Sequence, residues 1–546
     1  MSKQLPQPQN LFEKKLVHVF LGKSENGNIK INLLAPYHPE ISKIECILSS
    51  APFQDKQEAH VRDDIIRLYQ FEFDNLVEGM TYSYRFTVDG QSLDLGYGLK
   101  ESDLLFTHWS EIDENDSVIS MSCNGPYFFK DEEKRWDMWD RLHNEISTGF
   151  ITPKLLILGG DQYYQDALEE KWLGSVTSEN IIEFKKASLE NALKHWEHIS
   201  YRKVMAQVPS VAMLDDHDIT DGANGDRDEF YVGQTSEFNE SWKYFSGVQK
   251  ELFSFLQASR NPEPLLKKEN QAFTFLLDLG KTALVALDLR TEKNSRKKMV
   301  QEEDSKMVLW NTIRKLPHKN VMIVIPVVPV RNSIPTEAMI RGGIAIVPLL
   351  KTGLARMLPE EMRSQIENGL DSLAGFEDDF TDALSSEPNK DFLFELLEVI
   401  LEGASRGVNY TILSGDIHTA GSVELHISDG INSAIVPILV ASPIAYDPMP
   451  RMVETFLREH RVITLKHKGI TVEAVNHTFS SDRNFMNIYP EKLVMNPMEA
   501  AQLFLEGVPG SKTVMFKGWN RGVAVKTEHE LIVEKSLNSE KENVLL

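Results

Sequence analysis

The sequence predicts an α/β fold preceded by a small all-β domain, and three observations carry that expectation. From about Leu16 to Gly98 apolar residues alternate with polar ones at period two, the pattern of half-buried strands. After Asp113 the texture changes to short, continuously apolar runs that alternate with helical stripes, as in layered α/β domains. Four of those runs then stop on residues able to bind a metal. Val118–Met121 leads into Ser122, Cys123 and Asn124; Leu155–Leu158 leads through Gly159 and Gly160 into Asp161, with Tyr164 close behind. Val211–Leu214 leads into Asp215, Asp216 and His217, and Thr411–Leu413 leads through Ser414 and Gly415 into Asp416 and His418. Runs of this kind read as strands buried on both faces. Ligands of open sheets gather outside the carboxyl ends of such strands, so the four ends are expected to converge on one site.

Each element has its own signal. In the amino-terminal part Ile29, Ile31 and Leu33 share one face, as do Ile44, Cys46 and Leu48, then Leu68, Phe71 and Phe73 around an irregularity, then Tyr82, Tyr84, Phe86 and Val88. Turns of Gly, Asn and Pro separate them, which predicts a β-sandwich over residues 11–112 behind a polar tail, residues 1–10. Cys46 lies on an apolar alternation and is expected to be a buried thiol. The stretch LVEGMTYSYRFTVD, Leu76 to Asp89, resembles the end of a fibronectin type III module.

The α/β part is expected over residues 113–535, with a polar tail at 536–546. Trp136, Trp139 and Leu142 mark one helix, Leu189, Leu193 and Trp196 a second, and Phe392, Leu396, Val399 and Ile400 a third with Gly403 as its stop. These stripes predict core packing. Two further strands, Thr282–Leu287 and Val321–Ile325, carry Asp288, Arg290 and Pro326 at their ends. Residues 331–387 mix Gly, Pro and acidic residues without a usable period.

Composition excludes several functions. The chain has 546 residues, 42% of them hydrophobic, enough for large cores. Its formal net charge of -23 argues against nucleic acid or anionic lipid as a broadly bound partner, because phosphate backbones are held mainly by Lys and Arg. A small anionic substrate stays possible, since bound cations dominate a local field. Cys46 and Cys123 give no disulfide framework. Met1–Asn10 lacks an apolar export region, and Ile344–Leu358, interrupted by Lys351 and Arg356, falls short of the roughly 20 apolar residues of a membrane span. The expectation is a soluble protein of the cytoplasm.

The chemistry resides in the strand ends. A carboxylate placed by a double-glycine turn, as Asp161 is, can bridge two cations through its two oxygens, whereas a lone turn Asp usually caps a helix. Recurrence of the pattern at Asp216 and Asp416 favours the metal. Tyr164, His217 and His418 would be ordinary packing residues in isolation, and gain from acids beside them in the same motifs.

Taken together, SCNG at Ser122, GDQYYQD at Gly160, DDHDITDG at Asp215 and LSGDIHTAG at Leu413 resemble the PhoD-like branch of the metallophosphoesterases, in the same order. LDLR at Leu287, FEDD at Phe376, SPI at Ser442 and RNF at Arg483 are supporting matches, so the resemblance runs from about Ser117 to Phe485. It departs after Asp382, where Ala383 and Leu384 follow.

The resemblance implies a four-layer αββα sandwich of two mixed sheets flanked by helices, behind the fibronectin- or immunoglobulin-like sandwich, with Fe3+ and Ca2+ at the strand ends. It implies Cys123, Asp161 and Tyr164 as iron ligands, and Asp216 as bridging or second-metal ligand with Asp215 as the lesser alternative. Asp416 and His418 would complete the set, and His217 would face the substrate. Thiolate, phenolate and carboxylates are donors that suit a trivalent or mixed pair. Such metals lower the pKa of a bound water, so the implied reaction is hydrolysis of a small phosphomonoester or phosphodiester by metal-activated hydroxide. His217 would protonate the leaving alkoxide. Arg290 would either contact a phosphoryl oxygen or serve as an ion-pair partner. Two other classes of function fit the residues less well. A scaffold that keeps the metal fold without turnover would have no use for a cluster of carboxylates, and a dinucleotide-binding enzyme would need a GxGxxG fingerprint that the chain lacks.

Overall fold

The runs that end on metal-type residues are strands of two large sheets. The computed structural model describes residues 17–23, 28–36, 44–49, 56–62, 66–88, 90–93, 95–96, 98–221, 235–266, 273–293, 302–327, 383–448, 462–480, 482–495, 500–506 and 514–515. The FEDD motif, the apolar segment at 344–358 and both polar tails lie outside them.

The amino-terminal strands are β1 (His18–Lys23), β2 (Ile29–Pro36), β3 (Glu45–Leu48), β4 (Lys56–Arg62), β5 (Ile66–Phe73), β6 (Thr81–Val88), β7 (Gln91–Ser92) and β8 (Leu105–Thr107). After them come β9 (Ser117–Met121), β10 (Pro153–Leu158), β11 (Ser210–Ala212), β12 (Phe275–Leu279), β13 (Thr282–Ala286), β14 (Asn320–Ile325) and β15 (Asn409–Ser414). The last are β16 (Ala420–Ser428), β17 (Ser433–Val440), β18 (Val462–His467), β19 (Ile470–Ser480), β20 (Asn484–Ile488), β21 (Ala501–Leu505) and β22 (Val514–Met515).

One sheet has the order β22-β21-β20-β9-β10-β11-β1-β2-β5-β4 and another β12-β13-β14-β15-β17-β16-β19-β18. In the first, β9, β10 and β11 are parallel, with Leu156 opposite both Ile119 and Ser210, so Cys123, Asp161 and Asp215 all emerge at one edge. In the second, β13, β14, β15 and β17 are parallel, and Ile412 pairs with both Ile323 and Ile438. Arg290, Asp416 and Ser442 therefore leave that sheet at one edge as well. Every residue of β9, β13 and β14 is buried, as the continuous apolar runs require.

Packing explains why the edges meet. One apolar cluster draws on both sheets, joining Val118, Ile157 and Val211 to Leu284, Val324 and Leu413. A second joins the first sheet to helices α1 (Asp137–Ser147), α2 (Ile181–Lys194), α3 (Ile199–Gln207) and α4 (Ser236–Leu256), through Trp139, Leu189, Val204 and Leu252. A third joins the second sheet to α5 (Glu303–Lys315) and α6 (Lys390–Ser405), through Trp310 and Leu396. The result is a mixed α/β fold with two large sheets. None of the described helices is long and apolar enough to cross a membrane.

The amino-terminal strands are divided between two sheets. β1, β2, β5 and β4 continue the ten-stranded sheet, because β1 pairs in parallel with β11 at Gly22 and Ser210. β3, β6 and β7, with β8 on β6, form a small sheet of their own. Leu21, Ile31 and Phe71 from the one side and Cys46, Tyr84 and Phe86 from the other share one cluster, and Cys46 is buried there. Helix α3 is bound into the same region, since Arg202 donates to the carbonyls of Val17 and Leu95 at 2.6 and 2.9 Å and Tyr84 donates to that of Ala206 at 2.7 Å.

Gly403 does not stop its helix. α6 runs on to Ser405, and the positive φ that ends it belongs to Gly407, at 86°. Gly403 is where Tyr410 of β15 crosses the helix so closely that an added Cβ would lie 1.8 Å from the phenol oxygen. Close approach, not capping, requires this glycine. Trp136 and Trp196 also fall just outside their helices, one as the residue before α1 and one two residues after α2.

Candidate metal centre

The backbone at the strand ends is unusual before any side chain is considered. Among the described residues six that are not glycine have positive φ, and four of them are Cys123, Asp161, Asp416 and His418, at 56°, 54°, 73° and 51°. Left-handed backbone is unfavourable for a residue with a Cβ and persists where surrounding structure imposes it, most often at functional sites. Gly160, at φ 113°, lets two of these ends approach: a Cβ there would sit 2.7 Å from that of Asp215. Main-chain bonds lace the ends together, Asn124 to the Asp161 carbonyl at 2.7 Å, Ile444 to Ser122 at 3.0 Å and Ala445 to Cys123 at 3.2 Å.

On this frame one oxygen from each of Asp161, Asp215, Asp216 and Asp416 falls within 4.8 Å of the others, all four residues being buried. Asp161, Asp216 and His217 make a second such group. Oδ1 of Asp161 and Oδ2 of Asp215 have no hydrogen-bond partner among the described residues. Burial, with Asp215 close by, pushes the Asp161 carboxyl well above the ordinary range; burial does the same to Asp215 even though Arg290 opposes it. Like charges this close and this dry cannot all persist without a cation or protons. Four converging buried carboxylates, two of them with an oxygen that lacks a hydrogen-bond partner among the described residues, fit a bound metal.

Cys123 and Tyr164 stand against the same carboxylate. The Cys123 sulfur lies 3.5 Å from Oδ2 of Asp161, and the buried Tyr164 hydroxyl lies 3.4 Å from that oxygen. Burial and then the neighbouring charge raise the thiol and the phenol well above their usual pKa ranges, so each would ionise only on meeting a cation. His195 and Asn191 hold the Tyr164 main chain, at 3.4 and 2.6 Å.

Arg290, whose main-chain N–H is held by Asp288 at 2.9 Å, donates to Asp215 at 2.5 Å and to Asp216 at 3.1 Å, and its side chain is 1% exposed. Of the two sequence readings for this residue, the ion pair is the one the geometry displays. His217 lies over the Tyr164 ring, 4.4 Å between centroids, and its Nδ1 pairs with Asp166 at 2.9 Å. Burial alone would depress this imidazole, but Asp166, Asp161 and Asp216 outweigh it and hold the pKa well above the usual value. His418 lies outside both ligand groups, its ring 4.3 Å from that of Tyr446 and its amide on the Ser442 hydroxyl at 3.2 Å. Asn124 acts as a clamp, accepting from the Trp139 indole at 2.9 Å and donating to the Gln162 carbonyl at 3.2 Å.

Two residues at the site had no role assigned from sequence. Asp166 closes the GDQYYQD motif and Ser442 opens SPI, so the motifs contained both. Their function depends on a partner distant in sequence, which spacing does not reveal.

By its fold the chain is an α/β protein of PhoD-like architecture. The solved structure of PhoD superposes with a TM-score of 0.54 at 11% identity, covering 98% of this chain and 98% of that one, a likeness of fold. In sequence the chain is similar to the uncharacterized protein YGR266W of Saccharomyces cerevisiae, 24% identical over 418 residues, which cover 66% of this chain and 56% of that protein. The chain thus spans about half the length of that relative. No protein-family model matches it.

Proposed function

We propose that this chain is a metal-dependent phosphoric ester hydrolase of the alkaline phosphatase D type, acting on a small phosphorylated substrate. The observation that carries the reading is the group of four buried carboxylates, Asp161, Asp215, Asp216 and Asp416, two of which have an oxygen without a hydrogen-bond partner among the described residues. Asp161, Asp216 and Asp416 would hold the metals, Cys123 and Tyr164 would add thiolate and phenolate, and His418 would supply the imidazole of the last strand end. Carboxylates suit Ca2+, and the thiolate and phenolate suit Fe3+. Such a pair supplies Lewis-acid stabilisation of a phosphoryl group and acidifies water.

The remaining residues act on protons and charge. His217, kept protonated by Asp166, donates its proton to the departing oxygen of the ester. Arg290 balances Asp215 and Asp216, and serves the reaction by keeping those carboxylates in place. We read the apolar clusters of the described residues as the four-layer αββα arrangement, with β1, β2, β4 and β5 forming both the edge of its first sheet and one face of the added β-sandwich.

The test is metal analysis of the purified protein together with hydrolysis of a panel of phosphomonoesters and phosphodiesters, before and after chelation. Bound metal, turnover of at least one ester class, and loss and recovery of that turnover on removing and restoring metal are expected. Bound metal with no turnover of any ester would make the chain a scaffold. Absence of metal binding would overturn the reading altogether.

A further inference from the structure

The SPI and RNF motifs resemble the family pattern, yet none of their residues belongs to either ligand group. Ser442 of SPI nevertheless reaches the centre. Its side chain is buried, and its hydroxyl lies 2.9 Å from the Cys123 sulfur and 3.2 Å from the His418 amide. A hydroxyl has one proton and two acceptor sites. The amide N–H occupies an acceptor site, which leaves the proton for the sulfur.

The neighbouring hydroxyl is less committed to the sulfur. Ser122 lies farther from it, at 3.4 Å, and donates to the Ala441 carbonyl at 3.0 Å. Oδ2 of Asp161 and the Asp416 carbonyl, at 3.5 and 3.7 Å from the sulfur, are acceptors, and the Tyr164 hydroxyl that also faces it belongs to a prospective ligand. Ser442 is in turn fixed by RNF. Asn484 donates its side-chain amide to the Ser442 carbonyl at 2.5 Å and its main-chain amide to Pro443 at 2.7 Å, while Arg483 is clamped on Glu506 at 2.5 and 2.6 Å.

We propose that Ser442 is a positioning residue of the centre: its hydroxyl, oriented by the His418 amide, donates to the Cys123 sulfur, aims that sulfur at the metal and withdraws charge from the metal–thiolate bond. The inference rests on the metal reading above. Hydrogen bonds to ligand sulfurs are a main lever on the electronics of thiolate-bound metals, and partners beyond the ligands themselves orient the donors. Ser442 also ties the ends of β9, β15 and β17 to one another, so one proton couples ligand direction to the approach of the two sheets.

The experiment uses Co2+ as the probe in the full chain. The cobalt-loaded protein is expected to show a sulfur-to-cobalt charge-transfer band that Cys123→Ser abolishes. Ser442→Ala should bind the same amount of cobalt with the band moved to longer wavelength, because a sulfur without its hydrogen bond gives up charge more easily; Ser442→Thr should restore it. Should Ser442→Ala not fold, the unaltered protein carries the test: apo protein exchanged into D2O before loading should shift its cobalt–sulfur stretching frequency. A band that Cys123→Ser removes but Ser442→Ala leaves unmoved, or a stretch indifferent to D2O, overturns the role of Ser442 alone. A protein that binds no cobalt, or binds it without a sulfur band, overturns the thiolate ligand and the inference together.

Discussion

The Nδ1 atom of His217 lies 2.9 Å from Oδ2 of Asp166, while Oδ1 of the same carboxylate accepts the Asp221 amide at 2.7 Å. Asp166 is thereby fixed as a base for the imidazole and favours its charged form. In a site loaded as proposed, the cation would offset the charges of Asp161 and Asp216 and leave Asp166 to keep His217 protonated.

His217→Ala is expected to lower turnover about 100-fold or more with metal content unchanged. The loss should shrink for esters whose leaving groups need no proton. Asp166→Asn should move the alkaline limb of the rate profile to lower pH, because removing the carboxylate lowers the imidazole pKa and the proton-donating form is lost sooner. Rates for good and poor leaving groups, measured across pH, check both expectations. Equal losses for every leaving group would remove His217 from the role of acid.

Asp161→Asn and Asp416→Asn should each lower metal occupancy and activity, since loss of an anionic ligand weakens a cationic site more than ordinary packing. The metal-free protein provides a second readout. Asp161 and Asp215 have folded pKa values raised above the unfolded value of roughly 4, so the cost of their burial is absent in acid and grows as pH rises through the raised values. Chelated Asp161→Asn should therefore melt higher than chelated unaltered protein at neutral pH, with the gap closing toward pH 4. A gap that stays constant with pH would mean that Asp161 is not a stranded charge.

Arg290→Met leaves Asp215 and Asp216 without their guanidinium. Breaking a buried ion pair from one side costs about 3–5 kcal/mol. The cost should appear in denaturant unfolding of the chelated protein and fall when metal is restored. If instead Arg290→Met raises KM alone and leaves stability unchanged, the guanidinium contacts substrate.

A chain beginning near Glu111 removes β1, β2 and β5 from the sheet that carries Cys123, Asp161 and Asp215, and exposes the edge of β11. It also strips Arg202 of its partners at Val17 and Leu95. The truncated chain is expected to be insoluble or to lack a cooperative melting transition by circular dichroism. A soluble monomer that melts like the full chain would show that the segment is dispensable.

The strand ends were legible because their information is local. A fully buried strand needs a continuous apolar run, and the first polar residue after it, as at Leu158-Gly159-Gly160-Asp161, marks where the sheet ends. Period two at Ile29, Ile31 and Leu33 likewise reported a buried face. Periodicity records which residues are covered and not what covers them. For that reason the parallel pairing of Gly22 with Ser210, nearly two hundred residues away, left no trace in the pattern. The same holds for His217 with Asp166 and for Cys123 with Ser442, where the motifs showed the residues and only the fold joined them. Gly403 was misassigned for a related reason: a glycine late in a helix resembles a cap unless the crossing of Tyr410 is known.

The last expectation concerns colour. If Tyr164 binds ferric iron as phenolate, charge transfer from ligand to metal should tint concentrated protein, and reduction or chelation should bleach it. Tyr164→Phe should remove most of the band and Cys123→Ser should shift it. Both side chains sit against Oδ2 of Asp161, at 3.4 and 3.5 Å, so a metal held by that carboxylate has both within reach. A site built only for calcium or magnesium would gain nothing from them, since those ions favour carboxylate, carbonyl and water. A fully active, colourless protein with no iron by elemental analysis would return Cys123 and Tyr164 to packing, and leave hydrolysis to the four carboxylates and His217.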